Sequence, residues 1–320
     1  MTSREKGWVA ALSVLAVLAL IELFYIPGHN PWLEALNNAG HLPVFGLLAI
    51  AILHLVKLAR PSLRARPALA YGIALALSAA LGALSEGVQH FTPRDADITD
   101  LLRDVVGAAS FLALYAAIRD RDLREARAQR PRLKPALLAV TGLLWLAGGW
   151  PLLVWTAAYV QRQLQLPVLC DFDSRLSTRF LEANGTQLEF GATSDITGVE
   201  ARGTRMVFEA SEWPGVEIID VYPDWTEHDS LVLDLTVESD QPLVVALSAF
   251  DRDHNQTMED RFTRGFTLDP GRQRLAVSLG HVIVGPRSRT MDVEHMEGVR
   301  IFSDSSAKGR SVLLERLYLK

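Results

Sequence analysis

The sequence predicts a multidomain chain, an all-α transmembrane helical bundle of five helices followed by an all-β jelly-roll sandwich. Long apolar runs fill the first 160 residues, short alternating runs take over after about residue 170, and the charge changes sign between the two parts. The half up to residue 160 carries 15 Lys and Arg against 11 Asp and Glu, net +4, and the remainder carries 17 against 26, net −9. The 320 residues are 49% hydrophobic and 22% charged, with a mean hydropathy of +0.15. That average describes neither half, which excludes one uniform globular domain, and the abundance of apolar residues in both halves excludes disorder. An acidic chain without a basic block in its polar half is a poor nucleic-acid binder, so no nucleic-acid partner is expected. The single cysteine, Cys170, excludes an internal disulfide framework and a cysteine-based zinc site.

A spanning helix needs ~20 predominantly apolar residues. Five stretches come close: Trp8 to Ile26, His41 to Leu58, Ala68 to His90, Leu101 to Ile118 and Ala136 to Val160. The first has Arg4 and Lys6 in front, as a signal peptide does. It lacks a small-x-small cleavage site before Pro27 and is read as a retained helix. In the last, Gly148-Gly149-Trp150-Pro151 predicts a kink, because proline removes a backbone donor and clashes one turn back. The bulky Leu169 before Cys170 argues against a lipoprotein site.

Loop charge orients the bundle. Arg4 and Lys6, then Lys57, Arg60, Arg64 and Arg66, then the basic run from Arg119 to Lys134 alternate with two loops that hold only Arg94 between them. Five crossings then put the N-terminus in the cytoplasm and everything after residue 160 outside. The domains are expected at 1–160 for the bundle, 161–170 for a linker and 171–320 for the outer sandwich.

That topology brings polar residues from separate spans to one membrane–water boundary: His41, Glu86, Gln89, His90, Arg94, Asp97, Asp100, Arg103 and Asp104. Glu86, Gln89 and His90 share one helix face, as do Asp100 and Asp104. Ionisable groups at membrane depth are costly and mark functional sites by default. The structural alternatives are a cap by Asp97 or Thr99 and an ion pair between Glu86 and Arg94. Gly82-Ala83 and Gly107-Ala108-Ala109 allow the third and fourth stretches to pack closely.

The segments Asn38-Ala39-Gly40-His41-Leu42-Pro43-Val44-Phe45 and Glu86-Gly87-Val88-Gln89 through Arg94, Asp97 and Asp100 resemble the VanZ-like family of small bacterial membrane proteins over roughly residues 8–120. His41, Phe45, Glu86, Gln89, Arg94, Asp97 and Asp100 match that pattern, whereas Asp104 stands where the family usually has Asn, and Ala39-Gly40 where it often has Asp-Lys. The resemblance implies a cell-envelope protein of the bacterial inner membrane, linked to resistance to lipid-bearing glycopeptides. Its implied ligand-binding set is His41, Glu86, Gln89, Arg94, Asp97 and Asp100.

Beyond residue 170, strands are expected at 231–237, 243–250, 262–268, 274–279, 299–302 and 312–319, with turn chemistry at Asp269-Pro270-Gly271 and Ser239-Asp240-Gln241-Pro242. Short strands at regular spacing argue an antiparallel sandwich. Asp171-Phe172-Asp173, Asp224-Trp225, Asp251-Arg252-Asp253, Asp260-Arg261-Phe262 and Leu317-Tyr318-Leu319 resemble carbohydrate-binding-module-like jelly rolls. That resemblance implies glycan binding by an aromatic platform with planar polar side chains, assigned to Trp225 and Arg261, with Trp213 and Tyr222 as further candidates. Asp251 to Asn255 has oxygen ligands at alternate positions, but Gln256 and Phe262 stand where an EF-type calcium loop needs Gly and Glu, and no metal is expected.

Three functions fit these residues. The first is recognition of a lipid headgroup, lipid-linked glycan or lipid-bearing glycopeptide at the outer face, with membrane lipids and cell-wall glycan as partners. The second is a membrane-embedded hydrolase or transferase acting through His41, Glu86, Asp97 and Asp100. The third is a flippase, which the apolar inner halves of the second to fourth stretches oppose. No nucleophile arrangement, phosphate loop or dinucleotide fingerprint is present, and no cofactor is expected.

Overall fold

The computed structural model describes residues 26, 28, 30–89, 98–194 and 200–320, and of Glu86, Val88 and Gln89 the backbone alone. The chain divides into two compact units, Met1–Trp155 and Thr156–Lys320. It is helical first, then a β-sandwich.

Helix α1 runs Pro31–Ala59 and therefore starts before the expected His41. The reason is local: Asn30 accepts from the Leu33 amide at 2.8 Å, and Pro31 at the first position is already set for a helix. The added turns hold Asn37, Asn38 and Gly40, which hydropathy alone does not credit to a span. Pro61 ends α1, since the residue before a proline is pushed out of helical geometry. Helix α2, Pro67–Gln89, again opens on a proline, and α3 covers Ile98–Ile118. A short helix α4, Arg124–Gln129, lies in the basic loop. Helix α5, Leu133–Leu164, is longer than expected at both ends and runs on through Gly148-Gly149-Trp150-Pro151.

Among the described residues four helices, not five, are long and apolar enough to cross a membrane, which fits a membrane-associated chain. The expected stretch Trp8 to Ile26 lies outside them. Phe45, Leu48, Ile52 and Leu53 of α1 pack with Ala70 and Ala74 of α2 and Ala108 and Leu112 of α3. Small residues set these approaches. A Cβ on Gly107 would come within 2.5 Å of the Leu42 carbonyl oxygen, so Gly107 serves the contact of α3 with α1 rather than with α2. Leu143, Leu146, Trp150 and Leu153 of α5 are exposed, an apolar surface suited to lipid.

The second unit holds β1 (Val168–Asp171), β2 (Leu181–Asn184), β3 (Thr186–Ser194), β4 (Ala201–Phe208), β5 (Gly215–Ile219), β6 (Ser230–Val237), β7 (Leu243–Asp251), β8 (Phe262–Leu268), β9 (Gly271–Ser278), β10 (Met296–Phe302) and β11 (Ser311–Leu319). One antiparallel sheet has the order β3-β4-β11-β6-β9 with β1 also on β11, and the other has the order β2-β5-β10-β7-β8. The core between them includes Phe172, Phe208, Met206, Ile218, Trp225, Leu233 and Leu247, all essentially without exposure. The expected strand 274–279 ends at Ser278, whose side chain caps a short helix α6, Leu279–Ile283. Cys170 lies in β1, fully buried, with its thiol 3.9 Å from the Ser177 carbonyl oxygen. Burial pushes the pKa of that thiol up.

Candidate functional site

Strand alternation places side chains of the five-stranded sheet in rows across its outer face. In one row Glu182 of β2 stands opposite Glu217 of β5, Glu217 opposite Arg300 of β10, and Arg300 opposite Ser248 of β7. In the flanking rows two aromatic residues face glycines: Phe302 opposite Gly215, and Phe250 opposite Gly298. A Cβ on Gly215 would fall 2.4 Å from the Phe302 Cβ, and one on Gly298 would fall 2.4 Å from the Phe250 ring. Gly298 lets the Phe250 ring lie against the sheet, and Gly215 leaves room for the close approach of the β10 chain at Phe302.

Charged and aromatic groups then stack on these rings. The Arg300 guanidinium bonds Glu217 and lies 5.6 Å from the Phe250 centroid. Arg261, just before β8, sits 5.9 Å over Phe302, and Trp213 meets Phe302 edge-on with ring centroids 6.1 Å apart. The result is a groove of about 440 Å³ lined by Glu182, Asn184, Trp213, Glu217, Arg261 and Arg300 among others. Trp213 is 48% exposed and presents an aromatic surface to it.

Arg261 differs from its neighbours. It makes no hydrogen bond or ion pair among the described residues, and its Nε is buried without a partner. Burial, reinforced by the nearby Arg300 charge, lowers its pKa from the usual arginine range. An aromatic wall, carboxylates, an amide and a guanidinium with unused donors form a surface that can hold a polyhydroxylated ring: apolar face against Trp213, hydroxyls to the planar polar groups.

Arg261 is thus in the groove, and Trp225 is not. Trp225 is fully buried, its indole N–H donating to the Tyr222 carbonyl at 2.7 Å. An Asx turn at Asp224, closed by the Thr226 amide at 3.0 Å, folds the chain there, and the ring fills the core instead of forming a platform.

The loop after β7 is held by one guanidinium. Arg289 contacts both oxygens of Asp251 at 2.5 and 2.6 Å and Asp260 at 2.6 Å. Burial alone would raise the Asp251 pKa, but the Arg289 hydrogen bonds hold it below the usual carboxylate range. His254 in the same loop is almost fully buried. Its Nδ1 lies 3.0 Å from the Asp260 carbonyl oxygen, its ring packs on Phe250, and its Nε2 has no partner among the described residues. Burial lowers its pKa.

In the helical unit His41 of α1 hydrogen-bonds Asp104 of α3, Nδ1 to Oδ1 at 2.8 Å, with the Asp104 side chain 1% exposed. The carboxylate reaches this position because α2 has Gly82 there, where a Cβ would meet Asp104 Oδ2 at 2.8 Å. The pair therefore sits where α1, α2 and α3 converge. Asp100, one turn from Asp104, pairs with Arg103. Glu86 and Gln89 fall in the last turns of α2, where the backbone alone is described, and His90, Arg94 and Asp97 lie outside the described residues. The sequence reading put Asp104 near His41 without making it a site residue. The signal was available in an acid one turn beyond Asp100 on an otherwise apolar helix. It missed Phe250, Arg300 and Phe302, which are united only by cross-strand register.

No family model matches the chain, and no curated protein matches it. Solved structures similar to part of it include an exo-β-agarase, at 17% identity and a TM-score of 0.39 over 48% of this chain and 24% of that one. A family 11 carbohydrate-binding module from Clostridium thermocellum, in complex with a β-1,3-1,4-mixed-linked tetrasaccharide, has 12% identity and a TM-score of 0.35 over 48% of this chain and 93% of the module. A family 29 carbohydrate-binding module from Piromyces equi has 12% identity and a TM-score of 0.31 over 48% and 87%. The chain spans about a quarter of the agarase's length.

Proposed function

We propose that this chain is a multi-pass protein of the bacterial inner membrane, VanZ-like in its helical part, whose β-sandwich binds glycan outside in the groove between Trp213 and Arg261. The observation that carries the reading is Phe302, flanked by the exposed Trp213 on one side and by the unpaired Arg261 on the other. Within the helical part, His41, Glu86, Gln89, Arg94, Asp97 and Asp100 form the polar end that meets a lipid headgroup or lipid-linked glycan. The ligand class is then a cell-wall glycan or its lipid-linked precursor, with membrane lipids as the second partner.

The test is calorimetric titration of the full chain in detergent with soluble peptidoglycan fragments and with a mixed-linked β-glucan tetrasaccharide. Saturable binding that weakens about tenfold in Trp213→Ala, from lost stacking and burial, supports the reading. Binding that is indifferent to both Trp213→Ala and Arg261→Ala removes the groove from it.

A second reading is favoured by the His41–Asp104 hydrogen bond, because a histidine oriented by a buried carboxylate is the arrangement of a general base. On that reading the helical part hydrolyses or transfers a headgroup, with Asp97 and Asp100 near the reacting atoms. Release of a headgroup from lipid vesicles, abolished by His41→Gln, distinguishes it from binding alone.

A further inference from the structure

The other end of the helical bundle carries a second polar site. Lys57, near the end of α1, lies about 24 Å along the helix axis from His41 at ~1.5 Å per residue. Its ammonium bonds Asp120 at 2.7 Å and Asp122 at 2.8 Å, just past the end of α3. Asp120 also accepts from the Tyr71 hydroxyl at 2.8 Å and from the Asp122 amide at 3.0 Å. Beside them His54 Nδ1 donates to the Ile50 carbonyl at 2.7 Å, and its Nε2 hydrogen-bonds the Tyr115 hydroxyl at 3.1 Å. Every polar group of this floor has its partner.

Over the floor lies a cavity of about 340 Å³, and the remaining charges that line it are Arg64, Arg119 and Arg121. All three are exposed, and none has a hydrogen-bonded or ion-paired carboxylate among the described residues. Lys57, Asp120 and Asp122 together hold one net negative charge, so the three guanidiniums bring the cavity to net +2. Three like charges around one hollow repel each other unless an anion joins them. Guanidinium forks match the oxygens of a phosphate, and the hollow stands at the ends of three apolar helices, the depth at which lipid phosphates lie.

We propose that this cavity is a phosphate site, filled by the headgroup of an anionic phospholipid. The floor is electrostatically complete without a ligand. The three arginines are not, and they supply the recognition.

The test uses the full chain in dodecyl maltoside, with dioctanoyl phosphatidic acid, dioctanoyl phosphatidylcholine and inorganic phosphate as probes. Binding is read from the shift of the melting midpoint and from tryptophan fluorescence titration. The expected result is that phosphatidic acid binds and phosphatidylcholine does not. The variant Arg64→Ala/Arg119→Ala/Arg121→Ala should lose phosphatidic acid affinity by at least about tenfold. Its melting midpoint without lipid should match the wild type, since the arginines are exposed. A control, Arg60→Ala/Arg66→Ala/Arg124→Ala, removes as much charge from neighbouring exposed positions that do not line the cavity, and should bind within about twofold of wild type. Equal losses in the two variants would mean diffuse charge and would overturn the site, as would undiminished binding in the first. Inorganic phosphate binding as tightly as phosphatidic acid would overturn the lipid as the source.

Discussion

His41 and Asp104 meet at 2.8 Å from different helices, over Gly82 of α2, whose missing side chain leaves room for the carboxylate. Three helices are thereby registered by one hydrogen bond. Asp104→Ala leaves an imidazole without its partner at a helix junction and should cost about 3 kcal/mol, whereas Asp104→Asn keeps a hydrogen bond and should cost less. Gly82→Ala should resemble the alanine variant, because its Cβ displaces the same carboxylate. Melting midpoints in detergent rank the three.

Two tryptophans twelve residues apart in the chain should respond oppositely to truncation. Trp225→Ala empties the sandwich core and should cost about 4 kcal/mol of stability. Trp213→Ala loses only the edge-on contact with Phe302, and should cost no more than about 1.5 kcal/mol while weakening glycan binding about tenfold. Urea unfolding of each variant, set beside its titration, separates the roles; a Trp213 variant that unfolds as early as the Trp225 variant refutes the assignment of Trp213 to the groove.

Arg289→Ala strands the buried Asp251 carboxylate and should destabilise the sandwich by about 3 kcal/mol. In the wild type the Asp251 pKa is held down, so its contribution is complete above the unfolded value near ~3.9 and is lost as pH falls further. The variant should lack that acid-sensitive term. Unfolding free energies between pH 6 and pH 3, wild type against variant, check the difference.

His254 produces a second pH dependence at a higher range. Its pKa is lowered by burial, so below the unfolded value near ~6.5 the unfolded chain takes up the proton more readily than the folded one. Stability should therefore be full above that value and decline as pH falls from it toward 5.5. His254→Gln, less stable throughout because the buried histidine contacts are gone, should show a flat profile across the same interval.

The legibility of the chain follows how each element gets its stability. Strands β6 and β7 were readable nearly end to end because their burial is written in runs of leucine and valine, and β8 was readable from its spaced Phe262, Phe266 and Leu268 between turn residues. Strands β2 to β5 were not read. Leu181-Glu182-Ala183-Asn184 and Thr186–Ser194 carry charges and glycine on an exposed face, and owe their extended form to pairing with β5 and β4 rather than to an apolar pattern of their own. Helix α1 announced its early start in Asn30-Pro31, a capping signal that a hydropathy window does not weigh. The groove was half visible: Arg261 was named, but Trp213 and Trp225 are the same residue type beside strands, and topology alone sends one outward and the other inward. Gly298 explains why the Phe250 ring lies flat and Gly215 why β10 approaches so closely at Phe302, and each glycine is far in sequence from the residue it accommodates.

The lone thiol of Cys170 is sealed in β1, the first strand of the sandwich, whose partner β11 is its last. A maleimide cannot reach it until those two strands peel apart. The chain thus carries a native stopwatch: the pace at which a large excess of reagent consumes the sulfhydryl counts the openings of that seam, without an engineered label, and a glycan that braces the domain would slow the count.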